Sequence, residues 1–371
     1  LSVKNQANYL TFSWTQEFHT FFTKMPFPSS MIERGTLRFG PMLTSLLFYR
    51  RLIRMTVVSS LESPFFTVDF IADGIYAAIA KPGTGAMANA GIIDLGDRTL
   101  VFDTTMYTPQ AGQALHNTAV QLFDRPVSLV INSHFHLDHV GGNQSFPNAV
   151  MISTDQTRTL MLERTQQFLS FALAHPEYPE SVKASLEQET DERRRQELSI
   201  QLGDLLAMDA ALLTLVPSPA TISYDGSLTL HGSKRTAVLS AMGNGHSPCD
   251  AVLYLPGEEV LFAADLLFVH SHPSVQSGNV SEWIHILDRL GQEAFHTVVP
   301  GHGPVADKQA LQSLQTYLTE LLAQARLLSE QQDPLEAASC TPIPDAYQTW
   351  TLDSLYERNL KHLLHQLQSN E

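Results

Sequence analysis

The chain has 371 residues, 43% hydrophobic and 16% charged, enough apolar content for one large core or two modest ones. No run of about 18 consecutive apolar residues occurs, so no membrane span or membrane partner is expected. The 38 acidic residues against 23 basic ones, a formal charge of −15, argue against nucleic acid as a ligand, because a phosphate backbone is met by a basic patch.

The first 60 residues mix aromatic and basic side chains (Phe18, Phe21, Tyr49, Arg50, Arg51, Arg54) without sustained periodicity, and the chain opens on Leu1. The apolar run Pro41–Phe48 is short for the core of a secretory signal, and its basic residues follow it rather than precede it. Segment 1–60 is therefore read as an extension outside the fold, with translation starting near Met55, and a cytoplasmic location is expected. From Thr67 the pattern becomes regular. Phe70–Ile79 opens a strand pair, and Ala90–Asp94 with Thr99–Asp103 forms a hairpin around Leu95-Gly96-Asp97. Pro109 starts a helix to Asp124, with Thr108 as N-cap and proline at the first helical position.

The strand-like run Val127–Ser133 then leads into His134-Phe135-His136-Leu137-Asp138-His139, four metal-competent side chains within six residues at a strand end. An isolated His-x-His pair is most simply the polar face of an ordinary loop. Here the chain supplies further donors downstream, and Gly141 and Gly142 let the backbone turn sharply after His139.

Residues 155–215 break the alternation of strand and helix. Met161, Leu162, Phe168, Leu169, Phe171 and Leu173 have helical spacing, a charge run covers Glu187–Arg195, and Leu198–Leu215 is apolar again, so an insertion of two or three helices is expected. Its apolar stripes are read as packing surfaces, and its place after the metal loop is where a substrate-shaping wall would lie.

Strands resume at Thr221–Tyr224, Leu228–Leu230, Thr236–Met242, Ala251–Leu255 and Val260–Ala264. His246 falls in the turn Gly243–Pro248, Asp265 directly follows an apolar run, and His302 follows the strand Thr297–Val299. A helix from Ser281 with Gly291 as its stop is expected in between, and helices fill Asp307–Gln331 and Asp345–Gln368 within a C-terminal segment, 306–371. His270 and His272, close to Asp265, are candidates for substrate contact, and His272 for a catalytic proton donor. Cys249, three residues after His246, is either a thiolate ligand or a small buried thiol, and with Cys340 it suggests no disulfide framework.

Taken in order, these motifs resemble those of the metallo-β-lactamase superfamily over roughly residues 66–305. The resemblance implies an α/β fold, an αββα sandwich spanning 61–371. It makes His134, His136 and His246 ligands of a first metal, Asp138, His139 and His302 ligands of a second, and Asp265 the carboxylate bridging both. It also implies that Asp103 supports the metal loop from behind, where the alternative is simple turn capping.

Such nitrogen and oxygen donors suit two divalent ions, zinc first, with manganese or iron as alternatives. Two ions about 3.5 to 4 Å apart would acidify a bridging water into a hydroxide nucleophile near neutral pH, with Asp138 orienting it as a catalytic residue. The expected activity is hydrolysis of an ester, thioester, lactone or amide of a small molecule. A true β-lactamase fits less well, because Asp265 stands where those enzymes usually carry cysteine or serine. The alternatives are a mononuclear iron persulfide dioxygenase, which needs fewer of these ligands, and a non-catalytic scaffold, which would have lost some of them.

Overall fold

The computed structural model describes residues 63–105 and 108–369. The expected extension 1–60 and the start at Met55 lie outside the described residues.

Strands β1 (Phe66–Ala72), β2 (Ile75–Ala80), β3 (Ala90–Asp94) and β4 (Thr99–Phe102) form an antiparallel meander. Helix α1 (Pro109–Phe123) crosses over to β5 (Val127–Ile131), which lies parallel to β4. Thr108 caps α1 as its spacing predicts, its hydroxyl accepting from Ala111 N at 3.2 Å. A short helix, α2 (Leu137–Val140), follows the strand, and then come β6 (Val150–Thr154) and β7 (Ile222–Tyr224), both parallel additions. These seven strands make one sheet in the order β1-β2-β3-β4-β5-β6-β7. Strand β6 has no counterpart in the sequence reading. Its five residues run straight into a helix whose N-cap is the strand's own last residue, Thr154, so no turn separates the two.

Between β6 and β7 the chain forms α3 (Asp155–Ala174), α4 (Tyr178–Gln188) and α5 (Glu192–Ala211). The second sheet contains β8 (Ser227–His231), β9 (Thr236–Gly243), β10 (Asp250–Leu255), β11 (Val260–Phe268) and β12 (Thr297–His302), in the order β12-β11-β10-β9-β8. Strand β11 runs four residues past its expected end at Ala264, so Asp265 lies within the strand rather than after it. Strand β12 likewise continues to His302.

Helix α6 (Val280–Gln292) is capped by Asn279, whose side chain accepts from Glu282 N at 3.1 Å. The expected N-cap Ser281 is inside the helix, as is Gly291. The Asn279-x-x-Glu282 spacing, an N-cap followed by an acid at the third helical position, outcompetes serine two residues later. Helix α7 (Lys308–Ser329) starts after its cap Asp307, and α8 (Pro334–Ser339) precedes α9 (Ser354–Ser369). The last helix begins later than expected because Thr351 is extended, pairing with Ser271.

Three layers of apolar contact hold these elements. Between the sheets, Ile75, Phe102 and Ile131 face Leu239, Phe262 and Val299. On the outer side of the first sheet, Leu115 and Ala119 of α1 cover Ile92 and Val130. On the outer side of the second, α6, α7 and α9 bury Trp283, Leu314 and Leu360 against Leu261 and Leu267. The layering is helix, sheet, sheet, helix, an αββα sandwich.

Candidate metal centre

Strand β5 ends at Ile131, and the next residues deliver His134, His136, Asp138 and His139 around α2. Asp103 holds this turn from behind. It has a left-handed backbone (φ 58°), and its carboxylate accepts from Ser133 N at 2.8 Å, Ser133 Oγ at 2.7 Å and His139 Nδ1 at 2.8 Å. A non-glycine residue in that region carries strain that these bonds offset. Gly142 is required for closeness rather than for a turn. Its φ is an ordinary −79°, but a side chain would collide with the carbonyls of Thr104 and Thr105.

The other sheet brings His246 from the β9–β10 loop, Asp265 from within β11 and His302 from the end of β12. Asp250 fixes the His246 loop by accepting from Gly245 N at 3.1 Å and Ser247 Oγ at 2.5 Å. Asn89 ties the first sheet to the His302 turn. Its Nδ2 donates to the carbonyls of Pro300 (3.0 Å) and Gly303 (2.8 Å), and its backbone N donates to that of Gly301 (2.8 Å). Gly301 itself leaves room for Asp265, since any β-carbon there would overlap Asp265 Oδ1.

Two donor groups result, His134, His136, His246 and Asp265 in one and Asp138, His139 and His302 in the other, each with its donor atoms within 4.8 Å of one another. Asp265 lies between them. Its Oδ2 is 3.2 Å from His246 Nε2 and 3.3 Å from His302 Nε2, and its Oδ1 is 3.0 Å from His139 Nε2.

Outer hydrogen bonds decide which ring nitrogens face inward. The Ser274 carbonyl must accept from His246 Nδ1 (3.1 Å), and the Asp103 carboxylate from His139 Nδ1. The Ser133 hydroxyl gives its proton to Asp103 and so accepts from His134 Nδ1 at 2.9 Å. In the neutral rings the Nε2 lone pairs of His134, His139 and His246 therefore all point into the centre. His136 Nδ1 sits 2.9 Å from two of them, and at most one proton there cannot serve both. His139 Nε2 and Asp265 Oδ1 are buried without a hydrogen-bond partner. Inward lone pairs and carboxylates without donors are what divalent cations satisfy, so the residues fit divalent metal binding.

The electrostatics divide along the same line. Burial holds His134 and His136 below the usual imidazole value and brings His246 down to about 3. Burial also opposes charge on His302, but Asp265 and Asp138 outweigh it and push the ring up to about 10, and the carboxylates around His139 raise it as well. Despite burial, His139 and His302 bring Asp138 down to about 2. The imidazoles of the first group are thus held neutral, while the carboxylates of the second favour a cation beside them.

The centre opens into a cavity of about 350 Å³, lined also by Phe135, Arg164, Phe168, Gln276, Ser277 and Leu352. His272 is not brought there. It is fully buried, its Nδ1 lies 3.0 Å from the Tyr317 hydroxyl, and Trp350 and Tyr356 pack against its ring. The direction β11 takes after Asp265 carries the chain away into the helical layer, which nearness in sequence could not reveal. His270 is exposed and also does not line the cavity. Cys249 is a buried free thiol pushed up to about 11 by desolvation, and it belongs to neither donor group. Sequence reading passed over Asn89, Asp250, Arg164 and Ser277, none of which stands in a metal-ligand spacing.

The sequence pattern of the metallo-beta-lactamase superfamily matches residues 83–302. A linear primary-alkylsulfatase from a Pseudomonas species is 23% identical over 236 residues, 60% of this chain and 43% of that protein, so the chain spans less than half the length of this curated relative. Among solved structures, a metallo-beta-lactamase from Pontibacter korlensis superposes with a TM-score of 0.51 at 16% identity, covering 68% of this chain and 99% of that one. One from Erythrobacter litoralis gives 0.50 at 14%, covering 70% and 98%. At such identities the likeness is one of fold.

Proposed function

The chain belongs to the metallo-beta-lactamase superfamily, and from that membership we propose that it is a metal-dependent hydrolase of a small-molecule ester, thioester, lactone or amide. The observation that carries this reading is the meeting of two donor groups at Asp265 on the floor of an open cavity. His134, His136 and His246 would hold one divalent ion, Asp138, His139 and His302 the other, with Asp265 shared and zinc the first candidate. When bound, such ions supply Lewis acidity and make water acidic enough to be a nucleophile near neutral pH.

The remaining work belongs to the chain. Asp138, ionised at neutral pH beside His139 and His302, orients the attacking water and accepts its proton. Phe135 and Phe168 exclude bulk water from one side of the cavity, and Arg164 places a cation at its mouth for an anionic substrate group or product. The alkylsulfatase relative adds sulfate esters to the substrates worth testing.

The test is elemental analysis of the purified protein followed by a panel of carboxylic esters, thioesters, lactones, amides and alkyl sulfates. About two zinc or manganese ions per chain and turnover of one class are expected, with Asp138→Ala lowering kcat by about 10²–10⁴. A single iron per chain with no hydrolysis would move the assignment to the iron oxygenase. An unchanged rate in Asp138→Ala would remove that residue from the mechanism.

A further inference from the structure

We propose that the substrate is an amphiphile whose alkyl or acyl chain lies in a second cavity beside the metal centre, built by α3, α5 and the start of α9. This deepens the hydrolase reading and rests on it. The second cavity holds about 380 Å³, within the ~300–1,000 Å³ usual for small-molecule sites. It shares Met87, Phe168, Leu352 and Leu355 with the cavity over the metal ligands, so the two adjoin across these side chains. A chain entering it leaves its head group beside Asp138 and Arg164.

The walls are apolar and incompletely covered by the protein itself. Phe171, Ile200, Leu205, Met208 and Leu212 face this space, none of them buried, and Phe171 is 61% exposed. Over their combined length α3 and α5 bury only Thr157, Met161, Thr165, Leu198 and Ala211. Helices of this size are normally held by an apolar stripe packed on a core. Here much of the stripe lines a hollow, an arrangement that an apolar ligand completes.

Two of the carboxylates at its margin already have partners within the chain. Asp204 accepts from Gly85 N at 2.8 Å, and Glu197 takes Arg194 at 2.6 Å and the Ser354 backbone N at 3.2 Å. Desolvation lifts the Asp204 carboxyl to about 6, in keeping with apolar surroundings. With Asp204 and Glu197 engaged and the apolar walls open, a hydrocarbon chain fits the walls better than a sugar or a peptide backbone, whose polar groups would go unpaired against them.

The experiment uses the full-length, metal-loaded protein with two readouts. Turnover is measured on p-nitrophenyl esters from acetate to dodecanoate. Binding of the corresponding sodium alkanoates, below their micelle concentrations, is measured by calorimetry and needs no turnover. Both kcat/KM and affinity are expected to rise about fourfold per methylene, the factor equivalent to ~0.8 kcal/mol of burial, until the cavity is full. Ala172→Trp, which narrows the cavity from α3, should lower the dodecanoate-to-acetate ratio of kcat/KM by about tenfold or more.

Flat chain-length profiles in both readouts, with short esters still hydrolysed, would overturn the subsite and leave the hydrolase reading standing. Graded alkanoate binding without turnover of any ester would do the reverse. A gradient unaffected in folded Ala172→Trp would place the chain elsewhere and overturn the assignment. Association seen only with micelles or vesicles would identify the apolar walls as a surface for lipid aggregates and overturn it too.

Discussion

Asp265 works at the residue scale as a hinge between two donor groups, and space for it is reserved by a glycine 36 positions later in the chain, Gly301. His272 shows the opposite case, a histidine whose environment keeps it uncharged. Burial, with help from Arg193, brings it down to about 4. A histidine whose folded pKa lies below its unfolded value of about 6.5 withholds a proton that the unfolded chain takes up, so stability is complete above about 6.5 and is lost as the pH falls toward 4. The loss reaches about 3 kcal/mol at the acid end. Urea unfolding at pH 7 and pH 4.5 should show a smaller decline for His272→Phe than for the unaltered chain, and equal declines would remove His272 from the acid response. The candidate metal-binding histidines were legible because a metal demands several donors close together and spacing exposes that demand. Asp103, Asn89 and Asp250 serve those donors through hydrogen bonds to backbone and neighbouring side chains, which leave little periodic trace, and only Asp103 is expected, through the family resemblance. His272 is near Asp265 in sequence but not in space, because it packs against Tyr317 outside the cavity.

Among the elements, the turn at the end of β12 is tied to the first sheet by Asn89, through its side chain and its backbone N. Asn89→Ala should cost about 1–3 kcal/mol through the Pro300 and Gly303 carbonyls it leaves unpaired. It should also weaken metal retention at the Asp138–His139–His302 group by about 10–100-fold, because His302 loses its fixed approach. Competition with a chromogenic chelator measures this, and unchanged retention would show that β12 holds its own position. Most strands were readable because buried β-structure leaves short apolar runs bounded by turn residues, as in Ala90–Asp94 and Val260–Ala264. Boundaries went astray where two signals overlap. Thr154 both ends β6 and caps α3, Asn279 and Ser281 compete for one cap, and the extended stretch before Ser354 owes its form to Ser271 across the fold.

For the whole molecule, the donor residues come from both sheets, so a bound ion links two layers that otherwise meet through apolar contacts. An ion present at about a hundred times its dissociation constant adds about 2.7 kcal/mol to folding stability. Chelation should therefore lower the melting temperature and added zinc should restore it; a melting temperature indifferent to both would mean that these residues bind no metal in the folded state. The αββα plan was legible because motif order pointed to it, whereas the hollow beneath α3 and α5 was not, since an apolar stripe reads the same whether it meets a core or an empty space. The chain leaves the first sheet at β6 and returns at the neighbouring parallel strand β7, with all three helices of that excursion in between. No metal-ligand candidate lies on the detour, yet Arg164 and Phe168 reach the cavity from it. If the proposed reading holds, admission and reaction are written in separate paragraphs of the gene: one stretch can be rewritten, shortened or grafted from a cousin to change the clientele, while the machinery that serves them stays as it was.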